Sequence, residues 1–143
     1  FLDALHISSS GMSAQRVRMN VISSNLANAN TTRTPQGGAY RRKDVVFATH
    51  QGSGPFQNVL KSQTGRPLSE VRVNGIIEAP RAPQLKYDPQ HPDANSQGYV
   101  TMPNVNLVEE MVNMISATRS YEAGVAAINA SKSMALKALE IGR

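Results

Sequence analysis

Both ends of the chain carry a heptad pattern of apolar residues that continues through many turns of helix. In the N-terminal segment, alternating steps of four and three join Phe1, Leu5, Ser8, Met12, Gln15, Met19, Ile22, Leu26 and Ala29. In the C-terminal segment the same steps join Leu107, Met111, Met114, Thr118, Tyr121, Val125, Ile128, Lys132, Ala135 and Leu139. A repeat of about 3.5 residues keeps one face of a helix against a partner helix, so the pattern predicts lateral helix association.

These two helices are too long for the segment between them to cover. At about 1.5 Å per residue they would extend roughly 45 and 55 Å, whereas the middle segment is rich in Pro, Gly, Asn and Gln. We therefore expect an α+β chain whose long N- and C-terminal helices pair antiparallel in a coiled-coil core, with a small β-rich and loop unit between them. The expected units are residues 1–32, 33–104 and 105–143, and the helices of an isolated subunit should be partly disordered.

The composition argues against a large globular core and gives only weak support to nucleic-acid binding. Aromatic residues make up 5% of the chain, and Trp is absent from the sequence. A formal net charge of +5 raises nucleic acid as a partner. The basic residues are spread thinly, however, and the one cluster, Arg41–Lys43, is followed at once by Asp44. Without interleaved aromatic residues we expect no nucleic-acid partner, and a small basic nucleic-acid-binding protein is the alternative function.

Several other classes of protein are disfavoured by the sequence. The chain has no cysteine, which excludes disulfides, thiolate metal sites and thiol nucleophiles. It has no apolar run of about 18 residues, so we expect no membrane span, and the segment from Phe1 lacks the pattern of a cleavable signal peptide. Nothing assembles a nucleophile, a base and an oxyanion donor. We therefore expect neither catalytic residues nor a cofactor.

A segment near residue 90 invites a metal-site interpretation. Asp88, His91 and Asp93 all carry atoms that can bind a metal. Their spacing matches no specific site, and Pro89 and Pro92 favour a turn. We expect a turn without metal, and a small metal hydrolase is the most distant alternative function.

Two β-strands are predicted in the middle segment. One is the short apolar run Val45–Phe47, and the other extends over residues 68–79. The Asn74-Gly75 pair within the second run is typical of a hairpin turn between two strands. A single strand with a bulge at Gly75 is an equal alternative. Residues 51–65, rich in Gly and Pro, indicate a loop.

Two places in the N-terminal segment are predicted to interrupt the helix. The run Ser8–Gly11 is a candidate hinge, because Gly costs about 1 kcal/mol relative to Ala in a helix interior. Further on, Asn and Thr side chains compete with the helix for backbone hydrogen bonds. Here we predict a joint formed by Asn25, Asn28, Asn30 and Thr31, which sets the angle of the chain and contacts the C-terminal helix or an adjacent subunit. Simple capping at the surface is the alternative.

The C-terminal helix is predicted to extend over residues 107–141. Asn106 is a good N-cap, and Glu109 three residues later gives a capping-box arrangement. The apolar stripe is wider than a strict seam, which indicates that this helix has more than one neighbour. The residues that widen it are Val108, Val112 and Ile115.

Five separated stretches of the sequence carry distinctive motifs: Ser10 to Gln15, Asn25 to Thr31, Tyr87 to Val100, Pro103 to Val112 and Arg119 to Ala123. Together they resemble the signatures of bacterial flagellar rod and hook proteins. The resemblance covers most of the chain in the right order, apart from residues 51–67. The stretched join from Thr31 to Tyr40, together with the short length, resembles the proximal rod members of this family.

The resemblance implies a structural subunit of the flagellar proximal rod, the drive shaft of the basal body, which self-associates with other rod proteins to transmit torque. It implies a helical multi-subunit assembly with other rod proteins, the basal-body membrane ring and the export apparatus as partners. It also implies a periplasmic location in the basal body after type III export without a cleavable signal peptide. The predicted subunit-interface residues are Leu5, Met12, Met19, Ile22, Leu26, Met111, Met114, Tyr121, Val125, Ile128 and Leu139.

Overall fold

The computed structural model describes residues 2–51 and 69–142, with side chains from residue 4 and excluding that of Gln51. Two long helices flank two small antiparallel sheets, which confirms the α+β prediction. The sheets are β1–β2 and β3–β4. The elements in chain order are α1 (Leu2–Ala27), β1 (Lys43–Gln51), β2 (Ser69–Glu78), β3 (Gln84–Tyr87), β4 (Tyr99–Met102) and α2 (Leu107–Ile141). The predicted loop lies outside the described residues, apart from Gln51, which ends β1.

The first helix is continuous, so the predicted hinge at Ser8–Gly11 is wrong. The Ser10 hydroxyl donates to the carbonyl of Ile7 at 2.8 Å and accepts the backbone N–H of Val71 at 3.3 Å. The helix is thereby attached to β2 beside the weak glycine, and tertiary contacts override the local cost of Gly11. The helix ends at Ala27, inside the unit expected over residues 1–32.

The two helices pair antiparallel, as expected for a helical core in one chain. The Asn25 amide donates to Glu110 at 3.1 Å. Two turns back along α1, the Met19 sulfur lies 3.6 Å from the Thr118 hydroxyl. Further back, a Cβ added at Gly124 would lie 2.6 Å from Cγ of Met12. As the residue number decreases along α1, the number of its contact residue in α2 increases, which is the pattern of an antiparallel pair.

The face of α2 turned toward α1 differs from the predicted seam by one residue. One line of the heptad, Met114, Tyr121, Ile128 and Ala135, is partly buried as expected for helix pairing. The second line is Glu110 and Ala117, which are buried, with Gly124 and Ser131, which are partly buried, instead of the exposed residues Met111, Thr118, Val125 and Lys132. Small side chains allow the helices to approach closely, and Ala117 is completely buried. The larger apolar side chains of the predicted line consequently face outward.

The start of α2 agrees with the sequence prediction in its bounds and its cap. Asn106 accepts the backbone N–H groups of Val108 at 3.0 Å and Glu109 at 3.3 Å. In a capping box the Glu109 side chain would accept the backbone N–H of Asn106. Here the Glu109 carboxylate binds Arg81 instead.

The first sheet decides between the two interpretations of Asn74-Gly75. Val46 pairs with Gly75, but the next residue, Phe47, pairs with Val73, so Asn74 is the extra residue of a bulge within β2. The hairpin alternative is wrong, and the apolar run of Val45–Phe47 extends to a strand of nine residues. The sheet packs beside α1, and in the N-terminal half of this helix His6 Nδ1 lies 3.2 Å from the carboxylate of Glu70 in β2.

The second sheet carries the turn that sequence analysis considered as a metal site. His91 Nδ1 accepts the backbone N–H of Asp93 at 3.1 Å, and the Asp93 carboxylate accepts the Thr32 hydroxyl at 2.8 Å. These contacts fold a turn and attach it to the segment that follows α1. Within residues 2–51 and 69–142, no group of three His, Asp or Glu side chains is arranged to bind a metal ion. In the same residues no helix combines the length and apolarity that crossing a bilayer requires.

Apolar burial within the chain is small. The buried apolar residues in the described ranges are Ala14, Val21, Ile22, Ala29, Tyr40, Val100 and Ala117. Large apolar side chains are exposed at 16 described positions, ten of them in α2 and the other six in the strands. The single chain therefore leaves much of its apolar surface in water.

Replacing Gly124 with Val should destabilise the isolated chain by about 1–3 kcal/mol, because its side chain would overlap Met12. Denaturant unfolding followed by circular dichroism measures the loss. Adding Met12→Ala to the same chain should recover part of it, because the smaller side chain vacates the contact.

The matched control is Ala123→Val, at the exposed neighbouring position. It should cost no more than the helix-propensity difference, about 0.7 kcal/mol or less. Equal losses for the two Val variants would contradict a close helix contact at Gly124.

Candidate functional site

The end of α1 is attached to two other elements by one buried amide. Asn25 is 1% exposed. Its Nδ2 donates to the carbonyl of Lys43 at 2.8 Å and to Glu110 at 3.1 Å. Its Oδ1 accepts the backbone N–H of Lys43 at 2.9 Å and the Tyr40 hydroxyl at 3.0 Å. All four hydrogen-bonding positions of the amide are used, which joins α1 to the start of β1 and to α2.

The Glu110 carboxylate beneath this amide is completely buried. Its second oxygen accepts Nε of Arg42 at 2.7 Å, and Arg42 also reaches Asp44 at 3.2 Å. Burial acts to lower the pKa of Arg42, but the hydrogen bonds and negative charges of Glu110 and Asp44 outweigh burial and raise it. The guanidinium therefore stays cationic, and the buried carboxylate keeps its counter-charge. We call Asn25, Tyr40, Arg42 and Glu110 the joint network.

The remaining predicted joint residues shape the turn after α1. Asn28 donates to the carbonyl of Ser24 at 2.9 Å and accepts the Thr31 hydroxyl at 3.2 Å. The Thr31 carbonyl accepts the backbone N–H of Tyr40 at 3.0 Å. Asn30 lies exposed on the surface. Of the four residues, only Asn25 is placed against α2.

A second ion pair holds the start of α2 at the surface. Arg81 donates two hydrogen bonds to the Glu109 carboxylate, at 2.9 and 3.2 Å. The hydrogen bond from Arg81 lowers the pKa of Glu109, and the same bond raises the pKa of Arg81. This pair connects α2 to the segment between the two sheets.

The predicted interface residues divide into three groups by exposure in the single chain. Ile22 is buried, at 5% exposure. The exposed residues are Met111, Val125 and Leu139. The partly buried residues are Leu5, Met12, Met19, Leu26, Met114, Tyr121 and Ile128.

An apolar stripe faces outward along the first turns of α2. Val108, Met111, Val112 and Ile115 follow the spacing i, i+3, i+4 and i+7, which places them on one face. Their exposures range from 48% to 68%. We call these four residues the outer stripe. Helical apolar stripes normally face a core, and contiguous exposed apolar surface marks an interaction site.

The geometry is that of an assembly subunit: two paired helices, a small core and an apolar helix face without a covering element in the described residues. Two family models match this chain at its two ends. The description of one is "Flagella basal body rod protein", over residues 5–33, and of the other "Flagellar basal body rod FlgEFG protein C-terminal", over residues 96–141. The matched segments contain α1 and α2, and they define the chain as a protein of the flagellar rod class.

Relatives of known name cover almost the whole chain. The flagellar basal-body rod protein FlgC of Borreliella burgdorferi is 48% identical over 96% of this chain and 95% of that protein. FlgC of Bacillus subtilis is 48% identical over 98% and 97%, and FlgC of Salmonella typhimurium is 41% identical over 99% and 98%. The chain belongs to the FlgC family of flagellar basal-body rod proteins.

Replacing Glu110 with Gln should destabilise the chain by about 3 kcal/mol, because the nearly buried Arg42 guanidinium loses its closest counter-charge. Glu109→Gln is the matched control at the adjacent, partly exposed position and should cost much less. Chemical unfolding of both purified variants measures the difference. Similar losses would show that the Glu110 carboxylate is not the critical contact.

The Glu109–Arg81 pair predicts a pH dependence. Because the pKa of Glu109 is lower in the folded chain than its ordinary value of 4.5, the pair stabilises the fold above that value. Its contribution is lost as the pH falls further, through the lowered folded pKa. The stability difference between the parent chain and Glu109→Gln should therefore shrink on acidification below pH 4.5. A difference that stays constant down to acid pH would contradict the assignment.

Proposed function

We propose that this chain is a structural subunit of the flagellar proximal rod, where it associates with copies of itself and other rod proteins to transmit torque. The observation that carries the proposal is the outer stripe on α2, in a chain of the FlgC family. An apolar helix face that the described fold leaves in water becomes stable when a neighbouring subunit covers it, at roughly 25 cal/mol per Å² of apolar surface buried. Family membership favours this function over nucleic-acid binding.

The proposed role is mechanical rather than catalytic, which agrees with the naming of the relatives as rod proteins. Long paired helices resist bending when many of them lie side by side, because each contact along their length opposes the same displacement. The proposed partners are other rod proteins, the membrane ring of the basal body and the export apparatus. The proposed location is the periplasmic part of the basal body, reached through type III export.

The proposed contact surface extends beyond the outer stripe. Val125 and Leu139 are exposed on α2 and join Met111 as candidates for burial against a neighbour. The partly buried residues Met114 and Tyr121 lie between the helix pair and this surface, so a neighbour would complete their burial. Ile22 is already buried, so we assign it to pairing within the chain.

The joint has a proposed role in placing the middle segment. The bonds of Asn25 to Lys43 and Glu110 fix where β1 begins relative to both helices. Asn28 and Thr31 determine the turn between them. Asn30 is exposed, so a neighbouring subunit can reach it.

Replacing Val112 with Asp should prevent rod assembly and motility, because assembly would bury a carboxylate without a partner at a cost of several kcal/mol per subunit. The purified variant should keep the parent's circular dichroism spectrum, since Val112 is 60% exposed in the single chain. The measurement is motility and isolated basal bodies in a strain that expresses only the variant.

The matched control is Val112→Leu, which keeps the position apolar and should support assembly. Secreted but unassembled Val112→Asp protein would separate an assembly defect from an export defect. Normal motility of the Asp strain would overturn the assignment of the outer stripe as a subunit interface.

A further inference from the structure

A concave basic surface lies beside the turn between α1 and β1, on a different part of the chain from the outer stripe. Its walls include three cationic side chains, Arg33, Arg41 and Lys43, together with Thr34 and the single carboxylate of Glu78. Three positive charges and one negative charge give this surface a net charge of +2. We call it the basic pocket.

The cations of the basic pocket keep unused hydrogen-bonding capacity. Arg41 contacts Glu78 through one nitrogen at 3.5 Å, a long and exposed pair that uses one of the five guanidinium N–H groups. The Lys43 ammonium lies 5.9 Å from the ring centroid of Tyr40, which positions it without neutralising it. Within the described ranges, neither Arg33 nor Lys43 has a carboxylate at ion-pair distance. The pocket therefore presents positive charge to an incoming anion.

The charge balance of the whole chain indicates that the anion comes from a different protein. The chain has 15 Lys and Arg residues and 10 Asp and Glu residues. A second copy carries fewer carboxylates than cations, and six of its ten carboxylates already have a cation of their own chain nearby in the described residues, so it matches this surface less well than a protein with an acidic segment. The paired carboxylates are Asp44, Glu70, Glu78, Glu109, Glu110 and Glu122.

We propose that the basic pocket binds an acidic segment of a partner protein whose sequence differs from that of this chain. Arg and Lys donors match carboxylates with directed, charge-assisted hydrogen bonds. Glu78 in the wall opposes a multiply charged phosphate more strongly than a single carboxylate. Tyr40 is only 8% exposed, so the pocket has no free aromatic face in its described wall on which a nucleic-acid base could stack. The proposal does not depend on the outer stripe.

The experiment is a titration of the full, isotopically labelled chain with a synthetic hexaglutamate peptide, followed by NMR. Saturable shifts should concentrate in residues 31–43. Combining Arg33→Gln with Lys43→Gln should weaken binding about fivefold, as expected for loss of two exposed charge contacts. The backbone bonds of Lys43 to Asn25 remain in this variant, and circular dichroism verifies that it is folded.

The matched control combines Lys132→Gln with Lys137→Gln, which removes the same charge from exposed positions of α2. Its affinity for the peptide should stay within about twofold of the parent. An equal loss in the control, or an absence of peptide binding, would overturn the proposal. So would equal or tighter binding at the same amides by inorganic phosphate, a single-stranded oligonucleotide or phosphatidylglycerol vesicles. Identical shifts on adding unlabelled chain would assign the pocket to a second copy and would also overturn it.

Discussion

The fold depends on a carboxylate buried where two helices and a strand meet. Taking a charge out of water costs several kcal/mol unless a counter-charge and hydrogen bonds replace the solvent. Glu110 obtains its counter-charge from Arg42 beside β1 and a hydrogen bond from Asn25 at the end of α1. Each partner comes from a different element, so the carboxylate is satisfied only when all three are in place. The joint network therefore selects one arrangement of the chain, whatever its net contribution to the free energy of folding.

The pairing of the helices explains why so much apolar surface remains in water. In α2, small or paired side chains such as Ala117, Gly124 and Glu110 occupy one line of the seam with α1. Close approach along this line leaves Met111, a member of the outer stripe, and Val125 facing outward. A globular enzyme would normally place such residues in its core, whereas a subunit of an assembly completes their burial against a neighbour. The large apolar residues of α2 are thus exposed because small residues occupy the contact with α1.

Sequence alone predicted the features that are encoded locally. The Asn106 cap and the long apolar repeat gave the bounds of α2, and the run Val45–Phe47 located β1. The bulge at Asn74 remained ambiguous, because an Asn-Gly pair suits both a turn and a bulge. The seam of α2 was misplaced by one line, because a heptad search counts apolar residues and passes over Gly124 and the paired Glu110. Arg42 and Glu110 are 68 positions apart, so no local pattern indicated their contact.

The three contacts along the helix pair differ in chemistry, and this difference affects how the pair responds to force. A purely apolar repeat looks alike after each heptad, so two such helices can slide past one another and find new partners of similar energy. Here an amide–carboxylate contact at Asn25, a sulfur–hydroxyl contact at Met19 and a tight methionine–glycine contact at Met12 follow in order. A displacement of one turn, about 5.4 Å, would mismatch all three at once. The pair consequently resists shear along its axis. Sliding of helices past one another is the way in which a bundle of aligned helices yields to a compressing or twisting force.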